Sequence, residues 1–311
     1  MRLLKVSSSP HRASGTTTSN IMLTVIIALF PSLLAATLLF GYRAVILTAV
    51  TVASCVAFEY IFRKLLRREN TISDLSAVVT GIILALNMPV SMPYWMAVVG
   101  AFVAIVVAKE FFGGIGQNFA NPAIVGRIVL MLSFTSAMTT YTSPVLTGDA
   151  DAITSATPLA AEQGAYTLTD LFFGFHGGTM GEVCGVAIII GFVILVVKQI
   201  ISPIIPLCYV GSYFLFSLIA GQDALYLTLS GGLLFGAVFM ATDYVTSPVT
   251  KLGRVIFAVG CGLITFVIRS FGAMSEGVSF AILIMNLLVP LIERVTQPRP
   301  FGKIKKERAA K

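Results

Sequence analysis

Residues 21–41 read IMLTVIIALFPSLLAATLLFG, an apolar run that contains no charged residue. About 20 consecutive apolar residues are enough to cross a bilayer as a helix, and this run is longer than the apolar core of a cleavable signal peptide. The chain is therefore predicted to be an all-α integral membrane protein. It contains ten apolar segments, several of them shorter than a straight span, at 21–41, 43–62, 75–90, 94–112, 122–138, 183–199, 203–221, 227–243, 253–270 and 277–293.

The composition agrees with a lipid environment. Of the 311 residues, 57% are hydrophobic and only 11% are charged, whereas about 25% of a soluble domain is charged. The net charge of +7 comes from basic residues at helix ends and in the C-terminal tail, so we interpret it as a membrane-orientation signal and not as a nucleic-acid surface. The four cysteines form no CxxC pair, and we expect neither a disulfide framework nor a metal site.

The distribution of Lys and Arg predicts the orientation. If the N-terminal segment 1–20 is cytoplasmic, only Arg43 and Arg269 of the 21 basic residues fall on the outer side. Basic residues concentrate on the cytoplasmic side of membrane proteins, so both termini are predicted to be cytoplasmic. The long segment 139–182 contains no Lys or Arg and is predicted to be extracytoplasmic.

The two halves of the chain resemble each other. Asp74-Leu75-Ser76 followed by Gly81 resembles Thr228-Leu229-Ser230 followed by Gly236. Five spans in each half would insert the second half upside down, and short or Pro-interrupted spans in such repeats are broken or re-entrant helices around a midplane site. The predicted organisation is a cytoplasmic segment, a first repeat, an outer loop, a second repeat and a basic cytoplasmic tail, at 1–20, 21–138, 139–182, 183–293 and 294–311.

Four carboxylates are predicted to lie at membrane depth: Glu59, Glu110, Asp243 and Glu276. Ionisable groups in a membrane are functional candidates by default. Asp243 lies at a predicted break beside Thr242, and hard cations prefer oxygen ligands, so these two residues are candidates for an ion path. The alternative is that each carboxylate, lying near a span end, is simply hydrated.

The outer loop contains DAITSATPL at 151–159. Thr157 offers a hydroxyl beside the small Ala156, and Pro158 keeps the residue before it extended. Such a hydroxyl can be esterified by a phosphate, although a plain Ser/Thr-rich loop is the alternative. Further along, His176-Gly177-Gly178-Thr179 could offer backbone amides to a phosphate, or could form only a turn.

Four motifs together resemble one family. Asp-x-Ile-Thr-Ser-Ala-Thr at 151–157 resembles the flavinylation motif of redox-driven membrane pumps. With SSSPH at 7–11, GGIGQNFANPA at 113–123 and ATDYVTSP at 241–248, the chain looks like the D subunit of the Rnf ion-translocating ferredoxin:NAD oxidoreductase complex and the homologous B subunit of the sodium-pumping NADH:quinone reductase.

The resemblance implies an electron-carrier subunit in a bacterial or archaeal cytoplasmic membrane. It implies FMN bound covalently to Thr157, flanked by Asp151, Ser155, Ala156 and Pro158, and a riboflavin bound noncovalently in the bundle. The implied partners are membrane lipid, a flavin transferase and other Rnf subunits, including a second flavinylated subunit and iron-sulfur subunits. Nucleic acid is not an expected partner.

The resemblance also implies a part in an enzyme complex that couples electron transfer to Na⁺ or H⁺ translocation. No nucleotide-binding fold or cluster motif is present in the sequence, so we expect no catalytic residues and no catalysis by this chain alone. Two alternatives give Thr157 no role: a flavin-independent channel or transporter for ions or small solutes, and a structural anchor for redox partners.

Overall fold

The computed structural model describes residues 17–144, 157–159, 166–272 and 276–298. Within these ranges the protein is built from helices, and helices occupy each of the ten predicted apolar segments. They are α1 (Thr18–Phe40), α2 (Tyr42–Leu65), α3 (Ser76–Leu86), α4 (Tyr94–Phe102, continuing as a π-helix over Val103–Glu110), α5 (Pro122–Ser133), α6 (Thr135–Thr139), α7 (Leu168–Phe173), α8 (Gly185–Val197), α9 (Ile204–Ile219), α10 (Ala224–Leu229), α11 (Leu233–Phe235, continuing as a π-helix over Gly236–Met240), α12 (Lys251–Phe271) and α13 (Val278–Thr296).

Four of these helices, α1, α2, α12 and α13, are long and apolar enough to cross a membrane. At 1.5 Å per residue, a helix of 20 residues spans about 30 Å, the thickness of the hydrocarbon core. Most of each helix is not covered by the rest of the protein, and large apolar side chains such as Leu38 and Ile61 point outward. These surfaces suit contact with lipid, and the protein is a multi-pass membrane protein.

Other apolar helices are too short for a straight span: α3, α5, α8 and α9 have 10–17 residues. The sequence predicts that the third segment breaks at Asn87 and that the fifth opens at Pro122, and both predictions are confirmed. Helix α3 ends at Leu86 with Asn87 as its C-cap. Helix α5 begins at Pro122, and the side chain of Asn121 accepts a hydrogen bond from the amide of Ala123.

The ends of the broken helices meet inside the bundle. The amide of Gly181 donates to the carbonyl of Leu86 over 2.7 Å, and that of Met180 to the carbonyl of Met88 over 3.2 Å. Elsewhere, the Asn121 amide group donates to the carbonyl of Met240, at the end of the π-helix after α11, over 3.1 Å. Backbone groups at helix breaks cannot turn to lipid, so they pair with one another in the protein interior.

The predicted outer loop 139–182 is more structured than its composition indicates. It contains helix α7, which begins with a capping box between Thr167 and Asp170. These hydrogen bonds hold the pKa of Asp170 below its ordinary value. The composition of this segment indicates only that it is polar, and α7, with six residues in all, is too short to give a periodic apolar pattern.

Candidate functional site

Thr157 lies in a short described segment that packs against α10. Its exposed fraction is 6%, and the carbonyl of the following Pro158 accepts a hydrogen bond from the hydroxyl of Tyr226 over 3.3 Å. The side chain of Thr157 is therefore buried in this conformation. The flanking motif residues Asp151, Ser155 and Ala156 lie outside the described residues.

Arg269 lies next to the Thr157 segment. A Cβ atom added at Gly231 would meet Leu159 Cδ1 at 2.6 Å and Arg269 Nη2 at 2.9 Å, so this glycine brings the two side chains close together. Two nitrogens of the guanidinium donate to the carbonyls of Leu227 and Ser230, whereas its Nε has no partner among the described residues. The segment therefore has one cation beside it.

Among the backbone amides of 176–179, which could face a phosphate, that of Thr179 is already engaged within the protein. The backbone amide of Thr179 donates to Glu182 Oε1 over 3.0 Å. His176 is 2% exposed, its Nδ1 lies 3.1 Å from the carbonyl oxygen of Gly177, and its ring meets that of Tyr166. Burial lowers the pKa of His176, so the ring is neutral near pH 7.

A buried polar cluster surrounds Arg127, which is 1% exposed. Its guanidinium donates to Asn87 Oδ1 over 2.6 Å and forms a close ion pair with Glu276. The hydroxyl of Tyr141 lies 3.5 Å from the other oxygen of Glu276. Glu182 lies near the same guanidinium and is 5% exposed. We call Asn87, Arg127, Tyr141, Glu182 and Glu276 the Arg127 cluster.

A second buried cluster joins α2 to the π-helix after α4. Lys109 Nζ lies 2.7 Å from Glu59 Oε2 and 2.6 Å from Ser76 Oγ. Arg63 Nε lies 3.1 Å from Glu110 Oε1. Both carboxylates are 0% exposed, so the alternative in which they are hydrated at span ends is wrong, because each is ion-paired inside the protein. We call these five residues the Lys109 cluster.

A cavity of about 360 Å³ lies between α1, α3, α8 and the end of the π-helix after α11. Asp243 and Thr242, the predicted ion-path residues, both line it, as do Lys109 and Asn118. Asn118 lies close to Asp243, and its side-chain amide donates to the carbonyl of Ala120 over 3.0 Å. The hydroxyl of Thr246 donates to Asp243 Oδ2 over 3.0 Å. The motifs at 113–123 and 241–248 therefore meet at one site.

Most of the remaining cavity wall is apolar, with Met22, Val79, Ile83 and Phe239 among the lining residues. Thr242 faces the cavity with its hydroxyl already donating to the carbonyl of Val238 over 2.6 Å. Residues 157–159 are not among those that line the cavity. The predicted flavin-bearing and ion-path residues thus lie at two separate places.

The sequence model of the NQR2, RnfD, RnfE family matches residues 5–302. The chain belongs to this family. The resemblance inferred from the four motifs is therefore confirmed, and it covers nearly the whole chain.

Curated relatives of this NQR2, RnfD, RnfE chain share its full length. It is 48% identical to the D subunit of the Na(+)-translocating ferredoxin:NAD(+) oxidoreductase complex of Acetobacterium woodii, over 99% of this chain and 98% of the relative. It is 37% identical to the D subunit of the proton-translocating ferredoxin:NAD(+) oxidoreductase complex of Clostridium ljungdahlii, over 96% of each. It is 38% identical to the D subunit of the ion-translocating oxidoreductase complex of Stutzerimonas stutzeri, over 91% of this chain and 92% of the relative.

Sequence reasoning missed part of what this family member holds in its interior. It treated Lys109 and Arg127 as cytoplasmic loop charges, but both are buried within helices and paired with carboxylates. It did not select Glu182, which is also buried, as a candidate. The available signal was the position of Arg127, five residues inside an apolar helix start, where an unpaired charge would be unfavourable.

Proposed function

We propose that this chain is an electron-carrier subunit of an ion-translocating ferredoxin:NAD oxidoreductase complex, with FMN esterified to Thr157. The observation that carries the proposal is the 48% identity over 99% of the chain to a relative named as the D subunit of such a complex. The chain works as one subunit of this complex and is not catalytic alone. It acts beside the other Rnf subunits, including a second flavinylated subunit and iron-sulfur subunits.

The proposed topology has ten membrane segments in two inverted five-helix repeats, with both termini in the cytoplasm of a bacterial or archaeal cell. Helix packing supports the repeat. In the first half, α2 packs on α3 and α4. In the second half, α9 packs in the same way on the π-helix after α11 and on α12. The first helices of the two halves, α1 and α8, pack on each other. In this arrangement Thr157 is on the outer side.

The surroundings of Thr157 suit a phosphoester in one respect. A phosphate group requires a compensating positive charge or hydrogen-bond donors, and Arg269 lies against the Thr157–Leu159 segment with its Nε unpaired among the described residues. When bound, FMN supplies the capacity to accept and donate electrons. The protein supplies a fixed attachment point and a neighbouring cation.

The cavity between the two halves is the proposed site for riboflavin. Its volume of about 360 Å³ is within the usual range for small-molecule sites, roughly 300–1,000 Å³. Apolar walls such as Ile83 and Phe239 suit a planar aromatic ring, and Thr80, Asn118 and Asp243 can hydrogen bond to its polar edge or its sugar alcohol chain. The side-chain oxygen atoms of Asp243 and Thr242, which line the same cavity, are the proposed contacts of a translocated Na⁺ or H⁺.

The test is in-gel flavin fluorescence of the denatured protein, co-expressed with a flavin transferase. We expect fluorescence in the wild type and none in Thr157→Ala. Thr169→Ala, which removes an exposed threonine of the same predicted outer loop outside the motif, is the matched control and should remain fluorescent. A wild-type protein without fluorescence beside an active transferase would reject the covalent flavin and favour a flavin-independent channel or transporter.

A further inference from the structure

The Arg127 cluster holds more negative than positive charge. Glu182 and Glu276 are 5% and 7% exposed, and Arg127 is 1% exposed. Arg127 is already engaged on two sides, by the ion pair with Glu276 and by the hydrogen bond to Asn87. If both carboxylates are ionised, the negative charge of Glu182 is left without a cation of its own.

One oxygen of Glu182 has no hydrogen-bond partner in the part of the chain that the structure describes. Oε1 accepts the amide hydrogen of Thr179 over 3.0 Å, whereas Oε2 is buried and makes no hydrogen bond to any described residue. A bare carboxylate oxygen in a low-dielectric interior is unfavourable, and adding a proton removes the charge and turns that oxygen into a donor. We therefore expect this oxygen to bind a small ligand that the described residues do not supply.

The groups around Glu182 determine how readily it binds this proton. Burial, followed by the negative charge of Glu276, raises the pKa of Glu182 to about 7, against the lowering effect of Arg127. Tyr141 points its hydroxyl at Glu276. The neighbouring His176 ring has its Nδ1 3.1 Å from the carbonyl oxygen of Gly177, and its Nε2 has no hydrogen-bond partner among the described residues. A carboxyl group that titrates near neutral pH can bind and release a proton under cellular conditions.

A glycine keeps the free oxygen accessible. A Cβ atom added at Gly232 would lie 3.1 Å from Glu182 Oε2 and 3.7 Å from Arg127 Nη1, so both groups face the space beside this glycine. The preceding Gly231 faces Leu159 and Arg269 in the same way. Two adjacent glycines thus separate the Arg127 cluster from the segment that contains Thr157.

We propose that Glu182 is a redox-linked proton-binding site, which binds one proton when negative charge arrives at the flavin on Thr157. The electron comes from a one-electron donor of the complex, such as reduced ferredoxin, and the proton comes from water. An O–H bond forms at Glu182 Oε2 as the electron arrives and breaks as the electron leaves. The proton offsets the added charge in a low-dielectric interior. Only the link to the flavin depends on the proposed function.

The first experiment records infrared difference spectra of the purified complex between about pH 5 and pH 9, well above the ordinary Glu pKa of ~4.3. We expect the wild type to lose one carboxylic-acid C=O band as the pH rises through neutrality, and Glu182→Gln to lack this titrating band. Glu69→Gln, which changes an exposed carboxylate, is the matched control and should keep it. The absence of a titrating band in the wild type, or its survival in Glu182→Gln, would overturn the proposal.

Two further variants protect the test against a merely structural effect. Glu182→Asp keeps a carboxyl group and should restore the band at a shifted midpoint, even if Glu182→Gln folds poorly. Glu276→Gln removes the neighbouring negative charge and should move the midpoint to lower pH, because less repulsion favours the ionised form. A midpoint that does not move in Glu276→Gln would contradict the coupling within the cluster.

The second experiment measures proton uptake on chemical reduction, with a pH indicator dye and matched flavin content. We expect the wild type to take up more protons per electron than Glu182→Gln near neutral pH. Equal uptake would overturn the redox link. Thr157→Ala should keep the infrared band, because the proton site at Glu182 does not require the flavin. If only the flavin proposal is wrong, the band therefore remains and still depends on Glu182. If the proton site is wrong, the titrating band is absent.

Discussion

Lys109 is a cation enclosed in the interior by Glu59 and Ser76. Glu59 also accepts a hydrogen bond from the hydroxyl of Thr71 over 2.9 Å, so its two oxygens are each paired. Removing one member of such a pair leaves a buried charge uncompensated, whereas removing both leaves none. The pair therefore ties α2 to the π-helix after α4 only as long as both partners are present.

This arrangement makes a prediction about stability. Lys109→Met should destabilise the solubilised protein by about 3–5 kcal/mol, the usual cost of leaving a buried ion unpaired. Glu59→Gln combined with Lys109→Met should recover much of this loss. Thermal unfolding followed by circular dichroism measures both effects. Lys198→Met changes an exposed lysine and should leave the midpoint unchanged, and a double variant no better than the single would contradict the pairing argument.

Arg269 makes a prediction about flavin attachment. If its guanidinium faces the phosphate of FMN at Thr157, Arg269→Gln should slow attachment roughly tenfold, the factor for a loss of about 1.4 kcal/mol in phosphate binding. The measurement is the initial rate of fluorescence gain with purified transferase. Arg43→Gln removes the other arginine predicted on the outer side, which is exposed and binds the carbonyl of Ser91, and should have no effect. Equal rates for both variants would remove Arg269 from the site.

At the scale of elements, a glycine sets the contact between α1 and α8. A Cβ atom on Gly191 would meet the carbonyl oxygen of Ala28 and lie 2.6 Å from Phe239 Cζ. Small residues allow membrane helices to approach closely, because packing and not water exclusion holds them together. Gly191 therefore allows the first helices of the two halves to touch.

Gly191→Ala should destabilise the protein by about 1–3 kcal/mol through overpacking. Gly211→Ala is the matched control, because it lies within α9 with no atom within 4 Å of an added Cβ. That substitution should be neutral or stabilising by up to about 1 kcal/mol, since alanine is the better helix former. The two thermal midpoints measured side by side would show whether the close approach matters, and a shift of the same sign in both would argue that it does not.

The sequence predicted where helices break but not how they continue. Asn87 with Pro89, and Asn121 with Pro122, are local signals for a helix end and a helix start, and they function as such. The π-helical stretch Val103–Glu110 gave no such signal, because hydropathy is the same for either kind of helix. Yet this stretch contains Lys109 and Glu110, which are adjacent in sequence and both buried. They bind different partners, Glu59 and Arg63 respectively.

At the scale of the whole molecule, the site between the two halves depends on motifs more than 100 residues apart. Family motifs identified Asp243 and Thr157, but a sequence contains no information on distance, so the contact between Asn118 and Asp243 emerged only from the structure. The Arg127 cluster was missed for the same reason. Its members come from five separate parts of the chain, and the local signals at Asn87, Arg127 and Glu276 do not show that these side chains meet.

The cavity makes a prediction about riboflavin. Asp243→Asn and Asn118→Ala should each weaken riboflavin binding roughly tenfold, because each removes from the cavity wall a polar group whose hydrogen bond to the ligand would contribute about 1.5 kcal/mol. Thr242→Val should have little effect, because the hydroxyl of Thr242 is bound to Val238 in its own helix. The measurement is riboflavin released from the washed, denatured complex. Normal riboflavin content in both of the first two variants would exclude this cavity as the site.

The burial of Thr157 has a consequence for biogenesis. A side chain that is 6% exposed cannot be modified by a large enzyme until its segment leaves α10. If Thr157 carries FMN, attachment by the transferase competes with the packing of the Thr157 segment against α10. The ratio of the rate of attachment to the rate of packing then sets how many copies of the protein mature with a cofactor. A cell short of flavin would then accumulate closed chains that are slow to rescue, so the order of events during assembly would decide how many complexes can function.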